Sequence, residues 1–253
     1  MINQPFSAIK NLINATSSHL KNDMFACIDG QELLSTLKAT DHFPSFAAFW
    51  NTLHQDNHMA DGGKYRLRRY GQFNCDANTN EYCLLPHESY YQDEYINGLN
   101  GGMERFFEPL ESGFSNHPLL HNIMGLLTQV YDQANGYASD WNIRLHPYRI
   151  LAKPGSEGQP TPEGLHRDGV TYIAVLMINR FNIEGGVTTI TDAKEKLLLE
   201  TQLTNSFDIF IGNDSATMHG VTPISKADQC LQQAYRDVLV IAFTQRNTQM
   251  KAA

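Results

Sequence analysis

Cysteine is scarce in this chain of 253 residues, and the four present (Cys27, Cys75, Cys83 and Cys230) are scattered with no CxxC spacing. A disulfide framework is therefore not expected, and the cysteines read as free thiols in a reducing cytoplasm. No apolar run approaches the roughly 18 residues that a membrane-spanning helix needs. The first twenty residues have apolar side chains at helical spacing. They lack the unbroken apolar core and small-residue cleavage site of a secretory signal. Positive charge is also short, with 19 Lys and Arg against 27 Asp and Glu and a net charge of −8. That balance excludes a partner recognised through a phosphate backbone, so neither nucleic acid nor a membrane is expected to bind. GxSxG, P-loop and GxGxxG motifs are missing, as are internal repeats, low-complexity tracts and any Pro/Ser linker.

What is there divides by character. Ile2, Phe6, Ile9, Leu12 and Ile13 mark one helical stripe, and Phe43 to Leu53 a second. Gly62-Gly63 introduces a strand-like segment over 64–73, whose Lys64-Tyr-Arg-Leu-Arg-Arg-Tyr70 suits a small anion or a solvated strand edge equally well. Residues 74–102, rich in Asn, Gly, Tyr and acidic groups, give no assignable element but have the composition of a lid. The stretch 103–137 reads as two helices, with Pro118 tolerated in a first turn. From Trp141 onward short β-rich runs follow one another, at 143–152, 171–179, 186–192, 196–203, 207–212, 218–224 and 235–246. Thr171–Ile178 and Val238–Phe243 are continuous apolar runs, as in strands covered on both faces. Successive strands without intervening helices point to a jelly roll or barrel, not to βαβ units. The expectation is one domain over 1–253, with residues 1–60 as a helical part packed on a β core at 62–247 that carries inserted helices.

One constellation carries chemistry. His166 and Asp168 lie two residues apart just ahead of an apolar strand, so in extended chain both side chains point the same way. His219 follows on a distant strand. Two imidazoles and one carboxylate form the facial triad of non-haem iron(II) oxygenases. A metal that must also take a bidentate 2-oxo acid and O₂ leaves the protein only three positions. HxD by itself is common, and a surface-turn histidine beside an Arg–Asp pair explains it as well. The ordered set gives it weight: HxD, apolar strand, Gly185-Gly186, distal His, then Arg236 on the last long strand. Arg236 shares parity with Val238, Val240 and Ala242, which aims it into the barrel. A buried guanidinium needs an anion, either the distal carboxylate of a 2-oxo acid or a structural partner such as Asp237 or Asp208. His54 with His58 and His117 with His121 have i, i+4 spacing, but no third ligand recommends them. Asp192 and Asp214 are rival carboxylates without a histidine two residues away.

With these residues in place, the chain resembles the bacterial iron(II)/2-oxoglutarate dioxygenases that hydroxylate free L-amino acids, of the isoleucine 4-hydroxylase type. The resemblance spans about 64–246. It rests on Lys64–Tyr70, Arg144-Leu-His-Pro-Tyr-Arg149, Leu165-His-Arg-Asp168, Val175–Asn179, Gly185-Gly186, His219-Gly-Val-Thr-Pro223 and Tyr235–Val240. It implies a mainly β fold with flanking helices, built on a double-stranded β-helix (cupin-like jelly roll). It also implies Fe(II) on His166, Asp168 and His219, 2-oxoglutarate on Arg236, and O₂ as the oxidant. His146 and Arg149 match family positions on a strand expected to line the pocket, and Arg66 or Arg68 is the candidate for a substrate carboxylate. The implied partner is a small amino acid, with isoleucine, leucine or a methionine-like side chain foremost. Another small metabolite, a peptidyl residue, or a non-catalytic metal-binding barrel are the competing readings. A homo-oligomer is allowed by the composition and not required by it.

Overall fold

A computed structural model describes residues 4–246, with side chains from Ser7 onward; Ile2, the side chain of Phe6 and residues 247–253 lie outside the described residues. The elements run α1 (Gln4–Asp23), β1 (Phe25–Ile28), α2 (Gly30–Thr36), α3 (Phe43–Ala47), a 3-10 turn at Ala48–Thr52, β2 (His54–Gln55), β3 (Arg66–Arg68), β4 (Gly71–Cys75), β5 (Tyr82–Leu84), α4 (Ser112–Ser115) and α5 (Pro118–Asn135). Then follow β6 (Trp141–Leu151), β7 (Tyr172–Phe181), β8 (Ile183–Gly185), β9 (Thr188–Asp192), β10 (Leu197–Thr201), β11 (Ile209–Asn213), β12 (Thr217–Val221), β13 (Ile224–Lys226) and β14 (Tyr235–Gln245).

A large antiparallel sheet has the order β1-β11-β7-β14-β6-β3-β2, with β4 also on β6 and β5 beyond it. Facing it are the small sheets β10-β9-β12 and β13-β8. This is the mainly β, cupin-like jelly roll with flanking helices. The apolar runs in the middle of the large sheet are explained by its two covered faces. Leu239, Ile241 and Phe243 of β14 turn outward with Ile143 and Leu145 of β6 and pack under α1 and α5. Val238 and Ala242 turn inward with Ile173 and Met177 of β7 and meet Ile190 from β9. Helix α5 is set by its sequence: His117 accepts from Leu119 N at the N-cap, Pro118 occupies the first turn, and Gly136 ends it at φ 84°. Its buried face, Leu120, Ile123, Leu127, Val130 and Tyr131 among others, seals the outer side of the sheet. Trp50 fastens the N-terminal part by donating its indole N–H to Tyr148 O at 3.0 Å and Val238 O at 3.2 Å.

Several expectations need correction. Residues 25–28, read with the N-terminal helices, form strand β1 on the edge of the large sheet, beside β11. The segment 64–73 is two strands, β3 and the first part of β4, broken at Arg69, whose guanidinium turns away to the carbonyls of Thr52 and Pro109. Residues 103–110 are not helical. Arg105 and Phe107 point into the interior from an extended strip bridged to Tyr90, and Pro109 cannot continue a helix. The run 218–224 holds two strands, β12 and β13, which belong to different small sheets.

Candidate metal centre and cavity

The HxD segment is shaped by two glycines. Gly164 (φ 77°) and Gly169 (φ 74°) adopt left-handed conformations on either side of it, which side chains with a Cβ tolerate poorly. Between them, His166 pairs its backbone with His219 on β12, N to O at 3.0 Å one way and 2.9 Å the other. This direct pairing brings the imidazole centroids to 4.4 Å. The carboxylate of Asp168 stands 3.5 Å from His219 Nε2. One ligand atom from each of His166, Asp168 and His219 lies within 4.8 Å of the others, and among the described residues no other trio of His, Cys, Asp or Glu does this.

Neighbouring groups set the orientation of each member. His166 Nδ1 donates to Gly164 O at 2.9 Å, which leaves Nε2 unprotonated and facing the cavity in the neutral ring. Asp214, one of the two rival carboxylates, accepts from the backbone N–H groups of Asp168 and Val170, each at 3.0 Å, and so clamps the HxD loop. Asp192, the other, caps the β9–β10 turn by accepting from Lys194 N and Lys196 N. Burial, with His166 adding repulsion, pushes His219 down to about 3, so its ring is neutral at ordinary pH. Burial acts the same way on His166, but Asp168 and Glu163 outweigh it and raise the pKa. Burial raises Asp168 as well. Two imidazoles and a crowded carboxylate, with His219 turning Nε2 toward Asp168 and Nδ1 toward Asp214 at 3.9 Å, fit a dication held by three protein atoms with one side open.

That open side is a cleft of about 850 Å³ including its mouth, lined by the triad and by the inward faces of β3, β6 and β14. Arg236, 2% exposed, reaches it together with Val238, Val240 and Ala242. Neither rival partner takes Arg236. Asp237 points to the other face of β14, and Asp208 is occupied by the backbone N–H groups of Gly30, Thr204 and Asn205. Arg236 Nε and Nη2 therefore have no hydrogen-bond partner among the described residues. Burial, helped by Arg180, lowers its pKa to about 10, which leaves it charged near neutrality. An unpartnered buried guanidinium beside the triad fits the free carboxylate of a 2-oxo acid.

Arg66, Arg68 and His146 line the same cleft. Arg149 does not. It sits directly across from Asp237 on the outward face of the sheet and pairs with it at 2.7 Å through both Nε and Nη2, so its expected place in the pocket is wrong by one residue of strand parity. The other histidine pairs are structural: His58 Nε2 meets Phe106 O, His117 caps α5, and His121 Nε2 meets Ser115 O. Sequence reasoning missed Glu163, Tyr90, Gln92 and Arg105, which also line the cleft. Of these only Glu163 carried a readable signal, three residues before His166. The other three come from the loop segment over 88–105. It roofs the cleft, with Gln92 Nε2 touching Asp168 O at 3.4 Å and Ile96 packed on Gly169.

Residues 47–242 match the model of a protein family described as 2OG-Fe dioxygenase. Among solved structures, a bsmA homolog from Methylobium petroleophilum is 31% identical, with 92% of each chain covered and a TM-score of 0.83. IDO from Bacillus thuringiensis is 21% identical over 92% of this chain and 99% of that one, with a TM-score of 0.78. The Fe(II)/α-ketoglutarate-dependent dioxygenase TqaL shares the fold at 16% identity and a TM-score of 0.75, covering 95% of this chain and 88% of that one. No curated protein matches the sequence.

Proposed function

The chain belongs to the 2OG-Fe dioxygenase family, and from that premise we propose that it hydroxylates an unactivated C–H bond of a free aliphatic L-amino acid, with isoleucine, leucine or a methionine-like side chain foremost. As a 2-oxoglutarate-dependent non-haem iron oxygenase, it uses Fe(II), 2-oxoglutarate and O₂. In this reading His166, Asp168 and His219 hold the metal and Arg236 the distal carboxylate of the cosubstrate. The observation that carries it is an unpartnered Arg236 guanidinium and a His–Asp–His trio opening into one cleft.

The bound iron supplies the oxidising chemistry, coupled to decarboxylation of 2-oxoglutarate to succinate and CO₂. What the chain contributes is position and exclusion of water. Gly164 O fixes the tautomer of His166, Asp214 fixes the loop that carries Asp168, and Arg236 fixes one end of the cosubstrate. Val175, Val238, Val240 and Ala242 give the cleft an apolar wall suited to an alkyl side chain. Glu163 supports an amino-acid substrate. Its Oε2 is buried without a hydrogen-bond partner among the described residues, and an ammonium group would complete it. The roof over 88–105 leaves a small free molecule better accommodated than a peptide chain. No helix among the described residues is long and apolar enough to cross a membrane, and we place the activity in the cytoplasm.

The test is a screen of the twenty L-amino acids with Fe(II), 2-oxoglutarate and O₂, following succinate and product mass. The expected result is one aliphatic amino acid that raises succinate and gains one oxygen. Succinate that stays at its substrate-free background for all twenty would overturn the substrate assignment. A gain of one oxygen on another small molecule or a peptide would move it there.

A further inference from the structure

Part of the cleft has no role in the scheme above. Away from Arg236 stand three further guanidiniums, Arg66 and Arg68 on the sheet wall and Arg105 on the roof, exposed by only 6%, 2% and 2%. The carboxylate of Asp56 stands beside them, and Arg66 takes it, with Nε at 2.8 Å and Nη2 at 2.7 Å from Oδ2. The other oxygen of Asp56 accepts from His58 N at 2.9 Å. Arg68 remains 3.7 Å from Asp56, beyond hydrogen-bond distance.

Arg68 and Arg105 are held by neutral groups instead. Arg68 Nη2 donates to His146 Nδ1 at 2.6 Å, and Arg105 Nη2 to Gln92 Oε1 at 2.9 Å. His146 accepts because burial, reinforced by Arg68 and Arg144, keeps its pKa well below the usual imidazole value. Aromatic faces supply the rest. The ring of Phe107 lies 3.5 Å from the Arg68 guanidinium carbon, and that of Tyr90 lies 4.8 Å from the one in Arg105. None of these neighbours is an anion. Among the described residues, Nε of Arg68 and Nε of Arg105 have no hydrogen-bond partner at all. Arg68 thus shares, at 3.7 Å, a carboxylate that Arg66 already takes, and Arg105 has no ion pair among the described residues; buried guanidiniums with unfilled donors are costly unless a ligand completes them.

We infer that Arg68 and Arg105 form a second anion subsite, distinct from Arg236, that takes the carboxylate of the substrate; this rests on the reading of a small charged substrate given above. Two unfilled N–H donors match the two oxygens of a carboxylate. The two anion positions are separate. Arg236 pairs across β14 with Ile150, and Arg68 across β3 with Tyr148, which puts their Cα atoms two strand spacings and one pleat repeat apart, on the order of 12 Å. Arg68 belongs to the sheet wall and Arg105 to the roof, where its backbone exchanges both hydrogen bonds with Tyr90, at 2.8 and 2.9 Å. A carboxylate bound between them ties roof to wall.

The experiment is a calorimetric titration of 4-methylpentanoate into the full-length protein without iron or 2-oxoglutarate, so it does not depend on cosubstrate binding. Binding should persist in Arg236→Met and weaken at least about tenfold in Arg105→Met and in Arg68→Met. Arg105→Lys should recover part of the loss, which a merely structural role for Arg105 would not produce. Thermal unfolding of each variant identifies one that has not folded. Arg105 lies outside the helices and strands, so its variant carries the test if the Arg68 variant is lost. Wild-type affinity in both arginine variants, or loss of binding in Arg236→Met, overturns the subsite. Tighter binding of inorganic phosphate with the same arginine dependence overturns its assignment to a carboxylate. Failure of 2-oxoglutarate to bind the iron-loaded wild type counts against the cosubstrate reading and leaves this titration interpretable.

Discussion

Arg236 shows how one side chain can be followed from strand parity to chemistry. Alternation along β14 puts it inward with Val238, Val240 and Ala242 and puts Asp237 outward, so a bond between the adjacent residues Arg236 and Asp237 is ruled out by the pleat. If the guanidinium binds the distal carboxylate of 2-oxoglutarate, Arg236→Met should raise the KM for 2-oxoglutarate about a hundredfold or more, as expected for a buried charge-assisted pair of roughly 3 kcal/mol. Steady-state kinetics with the cosubstrate varied would check this, and a KM within threefold of wild type would exclude the role. Arg236 was legible because parity in a long strand is a local property. Arg105 was not. Its burial depends on a loop packing back over the cleft, and within Met103–Pro109 only Pro109, at the end of the stretch, argues locally against a helix. Asp214 was visible only as a rival ligand, because its role as acceptor for Asp168 N and Val170 N depends on a contact 46 residues away.

Among the elements, the long strands were the readable part. The runs at 143–152, 171–179 and 235–246 become β6, β7 and β14 with small changes at the ends, because β7 and the middle of β14 carry the continuous apolar runs of a strand covered on both faces and β6 alternates apolar with polar residues. Short elements were less legible. Four residues such as Phe25–Ile28 are apolar enough for a strand or a helix end, and pairing with β11 decides between them. The outward face of β6 and β14 gives a prediction of its own. Asp237, 1% exposed, has its carboxyl pushed up to about 6 because burial outweighs the pairing with Arg149. A folded-state pKa above the unfolded value means that the folded state holds the proton more tightly. Its contribution to stability is therefore complete below about pH 4 and is lost as the pH rises through 6. With a shift of two pH units, that loss is about 3 kcal/mol. Denaturant unfolding of wild type and Asp237→Asn at pH 5 and pH 8 would read it, with the wild type losing ground to the variant at the higher pH. An equal difference at the two values would show that the ion pair holds the carboxyl at its ordinary pKa.

At the scale of the whole molecule, the question is whether residues 1–60 are an appendage or part of one folding unit with the β core. The family model begins only at residue 47, but the likeness to the bsmA homolog covers 92% of this chain and so takes in most of that segment. Packing argues for one unit. Leu12, Ile13, Leu20 and Ile28 are buried in the same cluster as α5 and the outward faces of β6, β7 and β14. Strand β1 also covers the edge of β11, which would otherwise expose a row of unpaired backbone groups. Four buried aliphatic side chains contribute about 1.5–3 kcal/mol each, together on the order of the entire net stability of an ordinary domain. Removal of residues 1–29 should therefore abolish cooperative unfolding and leave an aggregation-prone chain, not a smaller stable core. Circular dichroism melting of the truncated protein beside the full chain measures this. A sharp transition within a few degrees of the full-length value would mean that the β core folds alone and that the N-terminal segment is an attachment. In that event the cleft, whose lining begins at Arg66, should survive the truncation and still bind the carboxylate probe.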